Sequence, residues 1–225
     1  MSPKPARAAI LASGRLTAPD AARHHLRGVP LLICADGGLR AAKRLGVRPH
    51  VVVGDFDSAS AALRAWAVRR GARLITHPAQ KDKTDAELAL EFAAAQRVRE
   101  IDFFGALGGR LDHELANIAL LLRARAARIT MRIIDDDTTA FLADRRTILP
   151  GSAGDLVSLI PLSRRVTGVT TSGLLYPLNR ATLHEGSTLG VSNVATGRHP
   201  TVRVGAGDLL IVVTRRRGTH RHLPS

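Results

Sequence analysis

The sequence of 225 residues has a single cysteine, Cys34. No intramolecular disulfide can form, and a cysteine-based zinc site is excluded with it. Aromatic residues make up only 3% of the chain, so ring platforms for stacking single-stranded nucleic acid are scarce. No apolar run approaches the roughly 18–20 residues that span a bilayer. The opening stretch MSPKPARAAILASGRL is basic, but its apolar part lasts about five residues, short of the ~7–15 of a secretory signal. These absences lead to the expectation of a cytoplasmic protein without a membrane partner. Lysine is also rare, with 4 residues against 29 arginines.

Hydrophobic residues make up 45% and charged residues 23%, with a mean hydropathy of +0.02, an ordinary globular balance. The length suits one large domain or two modest ones, each with its own core. The formal net charge is +14 and the isoelectric point about 11.5. An excess of arginine over lysine in an alanine-rich chain is what a GC-rich coding sequence yields. The arginines are scattered, apart from the run Arg215, Arg216 and Arg217. The positive field therefore points to anionic small molecules rather than to nucleic acid.

Six short apolar runs read as buried strands: Ala8–Ser13, Leu31–Ala35, Val51–Gly54, Arg73–Thr76, Ile101–Gly105 and Ile129–Ile134. Between them GLRAAKRLG, ASAALRAWAVRRG, TDAELALEFAAAQRV and LDHELANIALLLRARA carry apolar residues at helical spacing, and Gly46 and Gly71 sit where helices end. This alternation predicts an α/β fold, a mostly parallel, Rossmann-like sheet flanked by helices, with ligands beyond the C-terminal strand ends. After Thr138 the pattern becomes short strands separated by Gly, Pro, Asn or Asp, which predicts an antiparallel β-sandwich. The expected boundaries are 1–137 for the α/β part, 138–214 for the sandwich and 215–225 for a basic, solvated tail.

The chemistry-bearing residues follow the predicted strands. ADGG (Ala35–Gly38), GDFDS (Gly54–Ser58), QKDKTD (Gln80–Asp85) and GALGGRLDH (Gly105–His113) would bring Asp36, Asp55, Asp57, Asp82, Asp85 and Asp112 to one rim. Lys81, Lys83 and Arg110 would join them. In an extended segment Asp55 and Asp57 point to the same side, with Phe56 turned away. Two such charges about 4 Å apart repel by about 4 kcal/mol at an effective dielectric of 20. A divalent cation removes that cost, and paired carboxylate oxygens suit Mg2+. Ser58 also reads as a helix cap, and Thr84 with Glu87 as a capping box. Lys81 and Lys83 beside a helix N-terminus suit phosphate, while Asp82 and Asp85 could simply answer the helix dipole. Gly105, Gly108 and Gly109 allow a close backbone approach to phosphate with Arg110 as counter-charge, though plain turns use glycine too. Asp112 could be an N-cap and His113 a first-turn polar residue. GSTLGVSN (Gly186–Asn193) reads on composition as a turn cluster.

ADGG, GDFDS, KDKTD, GALGGRLDH, GLLYPL and GVSN, in this order and spacing, resemble the thiamine pyrophosphokinase family from about Leu11 to Val213. The resemblance implies an α/β catalytic domain and a β-sandwich that helps bind thiamine. It also implies a homodimer with active sites at the subunit interface, and Mg2+-dependent transfer of a pyrophosphoryl group from ATP to thiamine. Carried over by motif, Asp55, Asp57, Asp82 and Asp85 are the expected metal-binding and catalytic carboxylates, with Lys81 beside them. Asp36, Gly37, Gly38, Gly108, Gly109 and Arg110 fall at the nucleotide site, and Asp112, His113, Ser192 and Asn193 near thiamine. The family often follows its SN with Glu, where this chain has Val194. Two other readings compete: a diphosphokinase for another primary alcohol such as a hydroxymethyl-pterin, and a basic nucleic-acid-binding module, which leaves six aspartates unexplained.

Overall fold

The computed structural model describes residues 6–16, 18–57, 59–78, 80 and 82–216. The chain divides into two compact units, Met1–Asp136 and Asp137–Ser225.

In the first unit the strands are β1 (Arg7–Leu11), β2 (Leu32–Ala35), β3 (Val51–Gly54), β4 (Arg73–Thr76), β5 (Glu100–Phe104) and β6 (Thr130–Asp135). Their order across the sheet is β6-β5-β1-β2-β3-β4, and all pair in parallel. β2 and β3 are buried along their whole length, which is why they read as unbroken apolar runs rather than as alternating ones. The helices are α1 (Pro19–Leu26), α2 (Gly38–Leu45), α3 (Ala61–Arg69), α4 (Asp85–Ala95) and α5 (Leu111–Ala126). Leu26 of α1, Leu39 and Leu45 of α2 and Leu63 of α3 share one core with Leu11, Leu32, Cys34 and Val52 of the strands. From the other face α4 packs across β1, β2 and β3, and α5 packs on β6 and α4.

Sequence periodicity misses α1, because PDAARHHL buries only Ala22 and Leu26. The cap of α3 is Ser60, whose hydroxyl accepts the Leu63 N–H at 3.3 Å; Ser58 lies outside the described residues. Thr84 does cap α4, accepting the Glu87 N–H at 3.2 Å.

Among its described residues the second unit is all β. The strands β7 (Thr138–Leu142), β9 (Leu156–Pro161), β12 (Asn193–Val194) and β14 (Leu209–Thr214) pair antiparallel in the order β12-β9-β14-β7. A second antiparallel sheet runs β11-β10-β13-β8, from β8 (Arg146–Ile148), β10 (Arg165–Ser172), β11 (Ala181–His184) and β13 (Thr201–Arg203). Val157, Leu159 and Ile211 of one sheet and Val166, Val169, Leu183 and Val202 of the other form a single buried core. The basic run predicted as a tail falls mostly outside the described residues, which end at Arg216.

Candidate functional site

The chain runs outward from β1 through β2 and β3 to β4, then returns to place β5 on the other side of β1. Loops leaving β1 and β5 therefore part in opposite directions and open a crevice beyond their C-terminal ends. A cavity of about 370 Å³ occupies that place. It is lined by Ser13 and Gly14 after β1, Asp36 and Gly37 after β2, and Gly105 and Ala106 after β5. The starts of two helices complete it, with Thr84 and Asp85 from α4, and Arg110, His113, Glu114 and Asn117 from α5 and its approach. Two helix N-termini give the cavity a positive bias that suits an anion.

Backbone contact builds the floor. A side chain at Gly38 would sit 1.8 Å from the Leu11 carbonyl oxygen, so only glycine lets the β1 exit and the α2 start pass this closely. Asp36 just ahead of it holds φ at +32°, a conformation that non-glycine residues adopt rarely, and its N–H donates to the Val53 carbonyl at 2.8 Å. Its carboxyl group is thereby set between the ends of β2 and β3.

The segment after β3 is not extended as expected. Phe56 adopts φ +62°, which turns the chain, and its ring is buried in the core beside α3. Asp55 accepts the Asp57 N–H at 3.1 Å, leaving Asp55 half-buried and Asp57 exposed. The burial of one aromatic ring outweighs the preference for a straight strand end.

Of the residues singled out in the sequence, the cavity gathers Asp36, Gly37, Asp85, Gly109, Arg110 and His113. Asp55, Asp57, Asp82, Gly38, Gly108 and Asp112 are not among its lining residues. Lys83 donates to both oxygens of Glu91 at 2.7 and 2.9 Å and so runs along α4, while Lys81 lies outside the described residues. Asp112 is not the cap of α5; Arg110 holds that position, and Asp112 sits in the first turn. There its carboxylate accepts the Arg110 guanidinium at 2.6 Å, which holds the carboxyl below its usual range and the guanidinium above its own. In the second unit, Ser192 is exposed and Asn193 is buried. The Asn193 amide brackets the backbone of Tyr176, accepting its N–H at 3.0 Å and donating to its carbonyl at 2.7 Å. Sequence reading missed Ser13, Gly14, Glu114 and Asn117; the first pair follows a strand end like the other motifs, and the second lies within the same helix as Asp112.

Among the described residues no three His, Cys, Asp or Glu side chains converge as a ready-made metal cage. Mg2+ does not need one: it keeps several waters and takes one or two carboxylates together with phosphate oxygens. The hard carboxylate oxygens of Asp36, Asp55, Asp57 and Asp85 fit that donor chemistry. No helix among the described residues is long and apolar enough to cross a membrane.

Comparison with known proteins adds two family matches, the thiamin pyrophosphokinase catalytic domain over residues 22–133 and the thiamin pyrophosphokinase vitamin B1 binding domain over 146–209. A thiamine pyrophosphokinase of Bacillus subtilis is 33% identical over 184 residues, 81% of this chain and 86% of the relative. Thiamine pyrophosphokinase 1 of Oryza sativa is 28% identical over 207 residues, 80% of this chain and 77% of the relative. The crystal structure of thiamine pyrophosphokinase from Bacillus subtilis superposes with a TM-score of 0.81 at 28% identity, covering 93% of this chain and 99% of that one. That from Geobacillus thermodenitrificans gives 0.78 at 29% identity, covering 94% and 98%.

Proposed function

The chain belongs to the thiamine pyrophosphokinase family, and from that membership and its cavity we infer that it transfers the pyrophosphoryl group of ATP to the hydroxyl of thiamine, giving thiamine diphosphate and AMP. The observation that carries the reading is the cavity at the β1/β5 divide, where Asp36, Asp85 and Arg110 meet the starts of α4 and α5.

In this reaction the thiamine hydroxyl oxygen bonds to the β-phosphorus as the bond from that phosphorus to the oxygen bridging to the α-phosphorus breaks, and that oxygen leaves with AMP. Charge spreads over phosphate oxygens, so the protein contributes mainly placement and electrostatics. The positive end of α5 and the Gly105–Gly108 part of the loop receive the polyphosphate, and Arg110 exchanges Asp112 for phosphate oxygens. Asp85, at the cavity wall, accepts the hydroxyl proton. Asp36, Asp55 and Asp57 would hold Mg2+, with Asp82 and Asp85 nearby, where it would supply neutralisation of phosphate charge. In the second unit Ser192 serves thiamine directly and Asn193 through the Tyr176 backbone that it holds, and the enzyme works as a cytoplasmic homodimer with its sites at the subunit interface.

Purified protein incubated with thiamine, ATP and Mg2+ is expected to yield thiamine diphosphate and AMP in equal amounts, and excess EDTA to stop the reaction. Product with a hydroxymethyl-pterin and none with thiamine, or ADP in place of AMP, would overturn the assignment.

A further inference from the structure

The loop from Gly105 to Arg110 needs to be held if it is to present its amides to a phosphate. Gly105 and Gly108 both have positive φ, +64° and +77°, and nothing in their own chemistry fixes them there. One support comes from the β1 exit, where the Gly14 N–H donates to the Gly105 carbonyl at 2.9 Å. Two more come from α5. Asn117, only 6% exposed, donates its amide to the Ala106 carbonyl at 2.8 Å. Glu114 accepts the Gly109 N–H at 2.8 Å. The two side chains are three residues apart, hence on one face of the helix, and both line the cavity.

We propose that Asn117 and Glu114 are positioning residues that grip the loop near its two ends, at Ala106 and Gly109, and so hold it in the shape that takes the nucleotide's phosphates. This rests on the reading of the cavity as the ATP site. Neither is a phosphate ligand: the Asn117 amide is engaged by the Ala106 carbonyl, and the Glu114 carboxylate by the Gly109 N–H. They act through the loop backbone. A buried carbonyl that loses its donor costs enough to reshape a glycine-rich loop, whereas α5 is held independently by Leu120, Leu121 and Ala124 in the core.

The test uses the intact chain with Asn117→Asp, Glu114→Ala and Glu114→Gln, measuring Mg-ATP binding by calorimetry, the KM of each substrate, and thermal melting. Asn117→Asp keeps the size and replaces the donor with an acceptor. The expected result is a rise of about tenfold in KM and Kd for ATP, with the KM for thiamine within about twofold. Glu114→Ala should raise the ATP constants several-fold, and Glu114→Gln, whose amide oxygen still accepts the Gly109 N–H, should restore them. If Asn117→Asp fails to fold, the Glu114 pair decides. Unchanged ATP constants in the folded variants, KM values that rise together, or Glu114→Gln as weak as Glu114→Ala would each overturn the proposal. Wild-type protein that binds no Mg-ATP would instead overturn the assignment of the cavity, and the positioning role with it.

Discussion

Gly54 and Asp36 meet where β3 and β2 end: a methyl group at Gly54 would lie 2.9 Å from the Asp36 Cβ and 3.4 Å from its Oδ1. The acidic group at the cavity floor is thus placed by the absence of a side chain on the neighbouring strand. Gly54→Ala must push Asp36 aside, at a cost of about 1–3 kcal/mol in stability. A displacement near 1 Å at the reacting centre can lower the rate about 100-fold. Steady-state kinetics beside a denaturant titration should show a loss of kcat/KM for ATP much larger than the loss of stability accounts for. Equal losses would place Asp36 outside the reaction.

Asp85 and Asp82 offer a sharper comparison. Both precede or begin α4, yet Asp85 lines the cavity and Asp82 is exposed outside it. Asp85→Asn removes a proton acceptor and should lower kcat by about 10²–10⁴-fold. Asp85 opens α4, so the change also gives up a helix-dipole interaction worth about 0.3–1 kcal/mol in stability. Asp82→Asn should leave kcat within a few-fold of wild type. Product formation by the two variants, followed as AMP release, distinguishes their roles; a larger loss in Asp82→Asn would reassign the proton.

How much of this was legible in the residues varies with the physics behind each feature. β3 coincides with the apolar run Val51–Gly54 because a strand covered on both faces is apolar without a break, and α5 with the predicted Leu111–Ala126 because its buried Asn117, Leu120, Leu121 and Ala124 recur at helical spacing. β4 occupies the expected span Arg73–Thr76 but is half-buried to exposed, not buried. The turn at Phe56 was not legible, since a single left-handed φ has no periodicity and Phe is an unusual residue to adopt it. The two-residue strand β12 was also hidden. It exists because Asn193 and Val194 pair with Val157 and Leu156, a relation set by a partner some 36 positions away. Strand-end reasoning found Asp36, Asp85 and Arg110, but gave no hint that Asn117, two turns into a helix, reaches back to the same loop.

Asp102 is a charged residue in the buried part of β5, between Ile101 and Phe103. Its side chain is 3% exposed and receives Arg7 at 2.5 Å and Arg132 at 2.6 and 2.9 Å. Burial pushes its carboxyl up, but the hydrogen bonds and charges of the two arginines outweigh this and hold it below the ordinary value. A folded value below the unfolded one means that the unfolded chain binds more protons in the window between them. The stabilisation is therefore present above about pH 4 and fades as the pH falls through the folded value. The Arg7→Ala, Arg132→Ala double variant leaves burial opposed by the His25 ring 3.5 Å away and should lose about 3–5 kcal/mol at pH 7. Its stability should then improve on mild acidification, as Asp102 takes up a proton, in a window where Asp102 gives wild type no slope. Parallel pH profiles would show that the arginines do not govern this carboxyl.

His50 titrates nearer neutrality. Its backbone N–H donates to the Leu32 carbonyl at 2.9 Å, and its ring Nδ1 accepts the Leu32 N–H at 2.9 Å, so this one residue engages both backbone polar groups of Leu32 at the start of β2. Burial, and then the charge of Arg48, lower its pKa below the ordinary value of a histidine. Protonation at Nδ1 would set a donor against the Leu32 N–H and break that bond. The unfolded chain takes up this proton first, so stability rises with pH between the folded value and about 6.5, and the contribution is lost as the pH falls through that window. Asparagine at this position keeps an acceptor but does not titrate. His50→Asn should therefore be less stable than wild type at pH 8, where the ring packs without cost, yet show a flatter decline from pH 6.5 to pH 5, before the carboxylates titrate. Thermal melting across that range measures the difference in slope directly; identical slopes would mean that the His50 ring keeps its neutral, accepting form in the unfolded chain as readily as in the folded one.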